Sequence, residues 1–189
     1  MDTYQLYHVY NRGNNREDIF KEAKNYEFFL QLYLKYLGSL AKLHAFCLMP
    51  NHFHLLISVL DVGAKSKDPY NDGGKLSPIT KGFKNFFIAY VKAINKAYDR
   101  TGSLFQAKFK KKLIENEYQY LFTTAYIHYN PVKAGLSHGY DDWQYSSYCS
   151  LIEGKDELKL ARKEVLETFG GRDEFLAFHE AYEERMSAY

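Results

Sequence analysis

Residues 40–60 read LAKLHAFCLMPNHFHLLISVL. Two apolar runs rich in β-favouring residues flank the short segment Met49-Pro50-Asn51, the pattern of two strands joined by a tight turn in an antiparallel hairpin. The second run opens with His52, Phe53 and His54. Alternate residues of a strand point to the same face, so the two imidazoles would project side by side while Phe53 points the other way. Two neutral imidazoles that close together can share one divalent cation. They can equally be polar residues on the wet face of a half-buried strand, and the hairpin alone does not choose between these readings.

Working outward, TYQLYHVYNRG (3–13) reads as a strand running into a turn, and KEAKNYEFFLQLYLKYLGS (21–39) has helical spacing with Gly38 as its stop. Residues 61–75, DVGAKSKDPYNDGGK, form the clearest loop. Ser77 before Pro78 is a good N-cap with proline at the first helical position. It opens a helix whose stripe runs through Phe83, Phe86, Phe87, Tyr90, Val91, Ile94 and Tyr98. GSLFQAKFKKKLI (102–114) predicts another strand or hairpin arm. NEYQYLFTTAYIHYNPVKAGL (116–136) predicts a helix that ends near Pro131, because the residue before proline is pushed out of the α region. Two further helical patterns cover 155–169 and 172–186. The order strand, helix, strand, strand, helix, strand, helix predicts an α+β fold: a ferredoxin-like antiparallel sheet with helices packed on one face, plus a C-terminal helical extension. The chain divides as a body over 1–150 and an extension over 151–189.

A chain of 189 residues with 46% hydrophobic content can bury a substantial core. With 18 Tyr and 14 Phe, no single aromatic residue is informative by itself, since tyrosine serves both packing and base stacking. Two cysteines, Cys47 and Cys149, are too few for a disulfide framework and fit a reducing compartment. Neither a leader nor a membrane-length apolar run is evident, so a soluble, cytoplasmic protein without a membrane partner is expected. The net charge of +2 is unevenly spread: residues 153–189 hold 6 basic and 10 acidic residues, leaving 19 and 13 for the rest. A basic body permits a polyanionic partner.

The helix before Pro131 places Tyr126 and Asn130 four residues apart, on one face. If that face meets the histidine face of the strand, two imidazoles, an amide oxygen and a phenol converge. A divalent cation held by His52, His54 and Asn130 would polarise a phosphate as a Lewis acid. A tyrosine hydroxyl can attack phosphorus and store the bond as a phosphotyrosine. Tyr118, Tyr120 and Tyr129 are rival nucleophiles on the same segment. His128 lies roughly 200° around the helix from Tyr126 and belongs with packing or another contact, and His8 on the first strand is expected to be structural and not a ligand.

YHVYNRGNNREDIF, LMPNHFHLLI, GSLFQAKFKKKLI and YIHYNPVKAGL occur in this order over about residues 4–150. The chain resembles the HUH-type single-tyrosine transposases, most closely the REP-associated tyrosine transposase branch. The resemblance implies that His52 and His54 are metal ligands, that Asn130 stands where relatives place a polar third ligand, often Gln, and that Tyr126 is the nucleophile. It implies a Mg²⁺- or Mn²⁺-dependent enzyme of a bacterial or archaeal cytoplasm, associated with the nucleoid. Such enzymes cleave single-stranded DNA through a 5′-phosphotyrosine and leave a free 3′-OH, and REP-associated members recognise palindromes that fold into hairpins. Single-stranded DNA is gripped by basic grooves with aromatic stacking. Arg12 and Arg16 in NRGNNR, and Lys108, Lys110 and Lys112 in AKFKKKL, are the candidate contacts. Two other readings stand beside this one: a domesticated nucleic-acid-binding module without chemistry, and a phosphodiesterase that uses water as nucleophile. The strand edge at HAFCLM would allow a homodimer to pair across a two-fold axis.

Overall fold

The computed structural model describes residues 1–2, 4–61, 76–154 and 158–188. In chain order the elements are β1 (Leu6–Arg12), α1 (Ala23–Leu37), β2 (Ala41–Met49), β3 (His52–Val59), α2 (Pro78–Ala97), β4 (Lys110–Ile114), α3 (Glu117–Lys133), α4 (Tyr148–Glu153), α5 (Arg162–Phe169) and α6 (Arg172–Ser187). The first six of these build the ferredoxin-like unit. Its sheet is antiparallel throughout, in the order β2-β3-β1-β4. The β2–β3 hairpin forms as its sequence predicts, closed by Pro50 and Asn51, with Cys47 opposite His54 and Met49 opposite His52.

The register sorts the side chains. Tyr10 faces His54, Arg12 faces His52, His8 faces Leu56, and Lys110 and Lys112 lie opposite Tyr10 and His8. Cross-strand partners share a face, so these residues form one surface. The other face carries Val9, Phe53, Leu55 and Ile57, all fully buried. Phe53 contacts Phe29 of α1 at 5.1 Å between ring centroids and Phe87 of α2 at 5.7 Å. Thus α1 and α2 cover one face together, and α3 lies on the opposite one, where the Tyr126 ring meets His54 at 5.5 Å. Ser77 caps α2 through its hydroxyl, 3.4 Å from the Thr80 amide, and α1 ends at Gly38.

Three local expectations need correction. The helix carrying Tyr126 does not stop at Pro131 but continues to Lys133. Proline removes the N–H that would have reached the Ile127 carbonyl. The Asn130 side chain substitutes, its Nδ2 donating to the carbonyls of Tyr126 at 2.7 Å and Ile127 at 3.5 Å. The lysine-rich strand is confined to Lys110–Ile114, with only an isolated bridge from Gly13 to Phe105 upstream. The helix expected over 155–169 begins at Arg162, because Leu160 instead bridges to Leu43 of β2. Residues 155–157 lie outside the described residues, as does the loop expected over 61–75 apart from Asp61.

The edge of β2 is not free to pair with a second copy along HAFCLM. Phe46 donates its N–H to the Ser147 hydroxyl and accepts from the Ser147 amide, at 2.9 and 3.0 Å. Leu48 donates to the Tyr145 carbonyl at 2.9 Å and accepts from the Trp143 indole at 3.0 Å. The chain covers its own edge strand, which removes the unpaired backbone that edge-to-edge association requires. The acidic tail then packs on α3: His179 of α6 lies 2.9 Å from His128, whose other ring nitrogen is 2.8 Å from the Ser147 hydroxyl.

Candidate active site

The histidine face of the sheet and the inner face of α3 enclose a cavity of about 580 Å³ lined by Tyr10, Asn11, Arg12, His52, His54, Gln106, Lys110, Tyr126, Asn130, Lys133 and Ala134. The four residues that sequence spacing places on two separate faces, His52 and His54 on β3 and Tyr126 and Asn130 on α3, therefore share one space. Alternation along β3 and the i, i+4 relation along α3 bring each pair together locally. The sheet register and the seat of α3 bring the pairs to each other.

His52 and His54 stand 5.2 Å apart with their rings nearly perpendicular, and each is held through its Nδ1. The His52 Nδ1 lies 2.6 Å from the Asn51 side-chain oxygen, which only accepts, so this nitrogen carries the proton. The Asn51 amide is held in that sense by donating its nitrogen to the Arg16 carbonyl at 3.3 Å. The His54 Nδ1 lies 2.9 Å from the His8 Nε2. The His54 Nε2 is buried without a hydrogen-bond partner. Burial lowers the pKa of both histidines, that of His52 to about 4, and Arg12 adds to the effect on each. Both rings are neutral at pH 7, the form in which imidazole binds a metal.

Asn130 is turned with its nitrogen toward the helix backbone, which leaves the amide oxygen for the cavity. Asn130 raises the pKa of His52 against the effect of burial and lowers that of Tyr126. An orphaned imidazole nitrogen, a second imidazole and an amide oxygen fit a divalent cation of the first transition row. Among the described residues, no group of three or more His, Cys, Asp and Glu side chains is placed to hold a metal. The set here relies on an amide as its third donor.

Tyr126 is the tyrosine of α3 that the fold sends to this cavity. Its ring also meets His8 at 6.1 Å. Tyr129 is buried against Tyr140 and Tyr182, Tyr120 bonds His44 at 3.0 Å, and Tyr118 is exposed beside Phe122. Burial raises the pKa of Tyr126, partly opposed by Asn130 and Arg12, so the phenol is protonated at neutral pH. Three cationic residues, Arg12, Lys110 and Lys133, stand around it.

The basic residues singled out in the sequence divide. Arg12 and Lys110 line the cavity. Lys112 shares its face, opposite His8. Lys108 lines a separate apolar cavity with Phe83, Phe87 and Phe109. Arg16 is exposed on a short 3-10 turn, Asn14–Arg16, that follows Gly13. Gly13 is required there, because a Cβ would lie 2.0 Å from the Glu17 carbonyl oxygen. Sequence reasoning missed Lys133, Gln106 and Tyr10. Lys133, three residues past Asn130, was within reach of the same helical-face argument; Gln106 carried no signal. His8, expected to be structural and not a ligand, contacts His54 directly.

A histidine pair on the sheet thus faces a tyrosine on a helix, on a ferredoxin-like α+β fold. The fold matches a solved structure described as a REP-associated tyrosine transposase bound to a REP hairpin, with a TM-score of 0.62 over 85% of this chain and 87% of that one, at 18% identity. By sequence the chain is similar to a putative REP-associated tyrosine transposase of Haemophilus influenzae, 28% identical over 109 residues. That match spans 55% of this chain and a little over half, 57%, of the relative. No family model matches the chain.

Proposed function

We propose that this protein is a DNA transposase and single-strand endonuclease of the HUH tyrosine type, closest to the REP-associated tyrosine transposases. The observation that carries the reading is that Tyr126, His52, His54 and Asn130 line one cavity together with Arg12, Lys110 and Lys133, the Tyr126 ring lying 5.5 Å from that of His54. Tyr126 attacks a backbone phosphorus. The new bond joins its oxygen to the 5′-phosphate, the bond from phosphorus to the 3′ oxygen breaks, the phenol loses its proton and the leaving oxygen gains one. The surrounding cations hold the phosphate and stabilise the phenolate that burial disfavours. His52, His54 and Asn130 would hold Mg²⁺ or Mn²⁺, which when bound supplies Lewis-acid polarisation of the phosphate. The storage of bond energy in a phosphotyrosine lets a free 3′-OH reverse the step, so one site both cuts and rejoins.

The substrate in this reading is single-stranded DNA beside a hairpin, because the fold neighbour is described with a REP hairpin and the cavity is lined by Arg12, Lys110 and Lys133. The same reading assigns phosphate contacts to Arg12, Lys110, Lys112 and Lys133, with Arg16 and Lys108 farther out. It divides the chain into a catalytic body over 1–150 and a helical extension over 151–189, and it places the protein in the cytoplasm. No helix among the described residues is long and apolar enough to cross a membrane.

The test is a denaturing gel of end-labelled hairpins from palindromes flanking the gene, with Mn²⁺ or Mg²⁺. Wild type should form a protein–DNA adduct that Tyr126→Phe abolishes and Tyr129→Phe retains. Cleavage without adduct that survives Tyr126→Phe would replace this reading with a hydrolase. Binding without cleavage would leave a nucleic-acid-binding module.

A further inference from the structure

His8 comes from β1, one strand away from the histidine pair, and although it lies within the stretch YHVYNRGNNREDIF, neither spacing nor the resemblance gives it a role at the site. In register it stands diagonally across from His54, whose direct partner is Tyr10. Diagonal neighbours on one face of a sheet remain within reach of long side chains. The His8 Nε2 lies 2.9 Å from the His54 Nδ1, the two rings stack at 5.1 Å with 28° between their planes, and both are nearly inaccessible, at 8% and 5% exposure.

A neutral imidazole has one donor and one acceptor nitrogen, and a metal takes the acceptor. For His54, a residue that lines the cavity, Nδ1 is taken up by His8, and the nitrogen left over is Nε2, buried and without a hydrogen-bond partner. It can serve as a ligand only if the proton sits on Nδ1, and the group that receives that proton's hydrogen bond is His8. The same logic holds for His52, where the Asn51 oxygen receives the Nδ1 proton at 2.6 Å. Each histidine therefore has its own acceptor behind it, one from the hairpin turn and one from the neighbouring strand.

We propose that His8 is a positioning residue for the metal centre, accepting the Nδ1 proton of His54 through its Nε2 and so leaving the Nε2 of His54 bare as a metal donor. This rests on the metal-binding reading above. Partners of this kind fix the tautomer and ring orientation of a ligating histidine, and their loss typically costs about 10–100-fold in metal affinity. A glutamine at position 8 can place an amide oxygen near the position of the His8 Nε2; a leucine of comparable bulk cannot.

The experiment measures Mn²⁺ binding to the DNA-free full chain from the loss of the free-ion electron paramagnetic resonance signal. It compares wild type, His8→Leu and His8→Gln, with circular dichroism to check folding. The expected result is a 10–100-fold weaker affinity for His8→Leu, within the range above, with His8→Gln close to wild type. Equal affinities for wild type and His8→Leu overturn the role of His8 alone, as does His8→Gln binding as weakly as His8→Leu. A wild type that binds no Mn²⁺ overturns the metal centre and this inference with it. If His8→Leu does not fold, ¹⁵N imidazole spectra of wild type with diamagnetic Zn²⁺ decide. The proposal requires a protonated Nδ1 on His54 and an unprotonated Nε2 on His8, and the reverse pattern overturns it.

Discussion

Acid should loosen the C-terminal helices from the helix that carries Tyr126, through a buried chain of hydrogen bonds whose direction is fixed. The His179 Nδ1 can only donate to the Phe175 carbonyl, 2.7 Å away. Its Nε2 must then accept from the His128 Nδ1, and the His128 Nε2 from the Ser147 hydroxyl. Every nitrogen is used with both rings neutral, and a proton on either ring places two N–H groups against each other or against the serine. Burial lowers the pKa of His179 to about 4 and that of His128 well below its ordinary value. The unfolded chain titrates near 6.5, so it binds more protons than the native state as pH falls through that value. Stability is therefore fully present above about pH 6.5 and declines toward pH 4. For His179 alone the loss between about pH 7.5 and about pH 5 is roughly 2 kcal/mol, and His128 adds to it in the same direction.

Urea unfolding of wild type and His179→Gln at those two pH values isolates the effect of this chain of bonds, since the histidines outside it titrate alike in both proteins. The variant should be less stable at the higher pH but should lose about 2 kcal/mol less on acidification, a difference of roughly 4–8 °C in Tm for a chain of this size. Parallel losses in the two proteins would refute the assignment of the acid sensitivity to this chain of bonds.

Asn130→Ala should weaken Mn²⁺ binding and also reduce stability by about 1 kcal/mol, because the amide both faces the cavity and caps the carbonyls beside Pro131; calorimetric titration and thermal melts separate the two losses. Lys133→Gln should lower hairpin affinity at low salt and reduce the slope of log K against log salt by about 1, while leaving Mn²⁺ affinity unchanged, as filter binding over a salt series would show. Phe53→Ala, in the layer between the sheet and α1 and α2, should cost about 3–5 kcal/mol in denaturant unfolding, since the ring is fully buried among Phe29, Phe87 and Phe105.

What the sequence determined was whatever depends on local periodicity. The alternation in HFHLLISVL set His52 and His54 on one face and Phe53 on the other. Ser77-Pro78 began α2, Gly38 closed α1, and the i, i+4 spacing put Tyr126 beside Asn130. Choosing Tyr126 over Tyr129 rested on the resemblance carried by YIHYNPVKAGL, because spacing alone left both on the helix. Tertiary structure decided which local faces meet. Tyr129 is buried against Tyr140 and Tyr182 because α6 lies on that side of α3. His8 became the partner of His54 because β1, distant in sequence, inserts next to β3 and sets the diagonal register. Pro131 failed to end its helix because a side chain four residues past Tyr126 satisfied the carbonyls that proline released. The edge at HAFCLM, unpaired as far as its own sequence could tell, is covered by residues almost one hundred positions later. Propensity and period act over a few residues, whereas register, burial and hydrogen-bond completion are settled between segments that only the fold brings together.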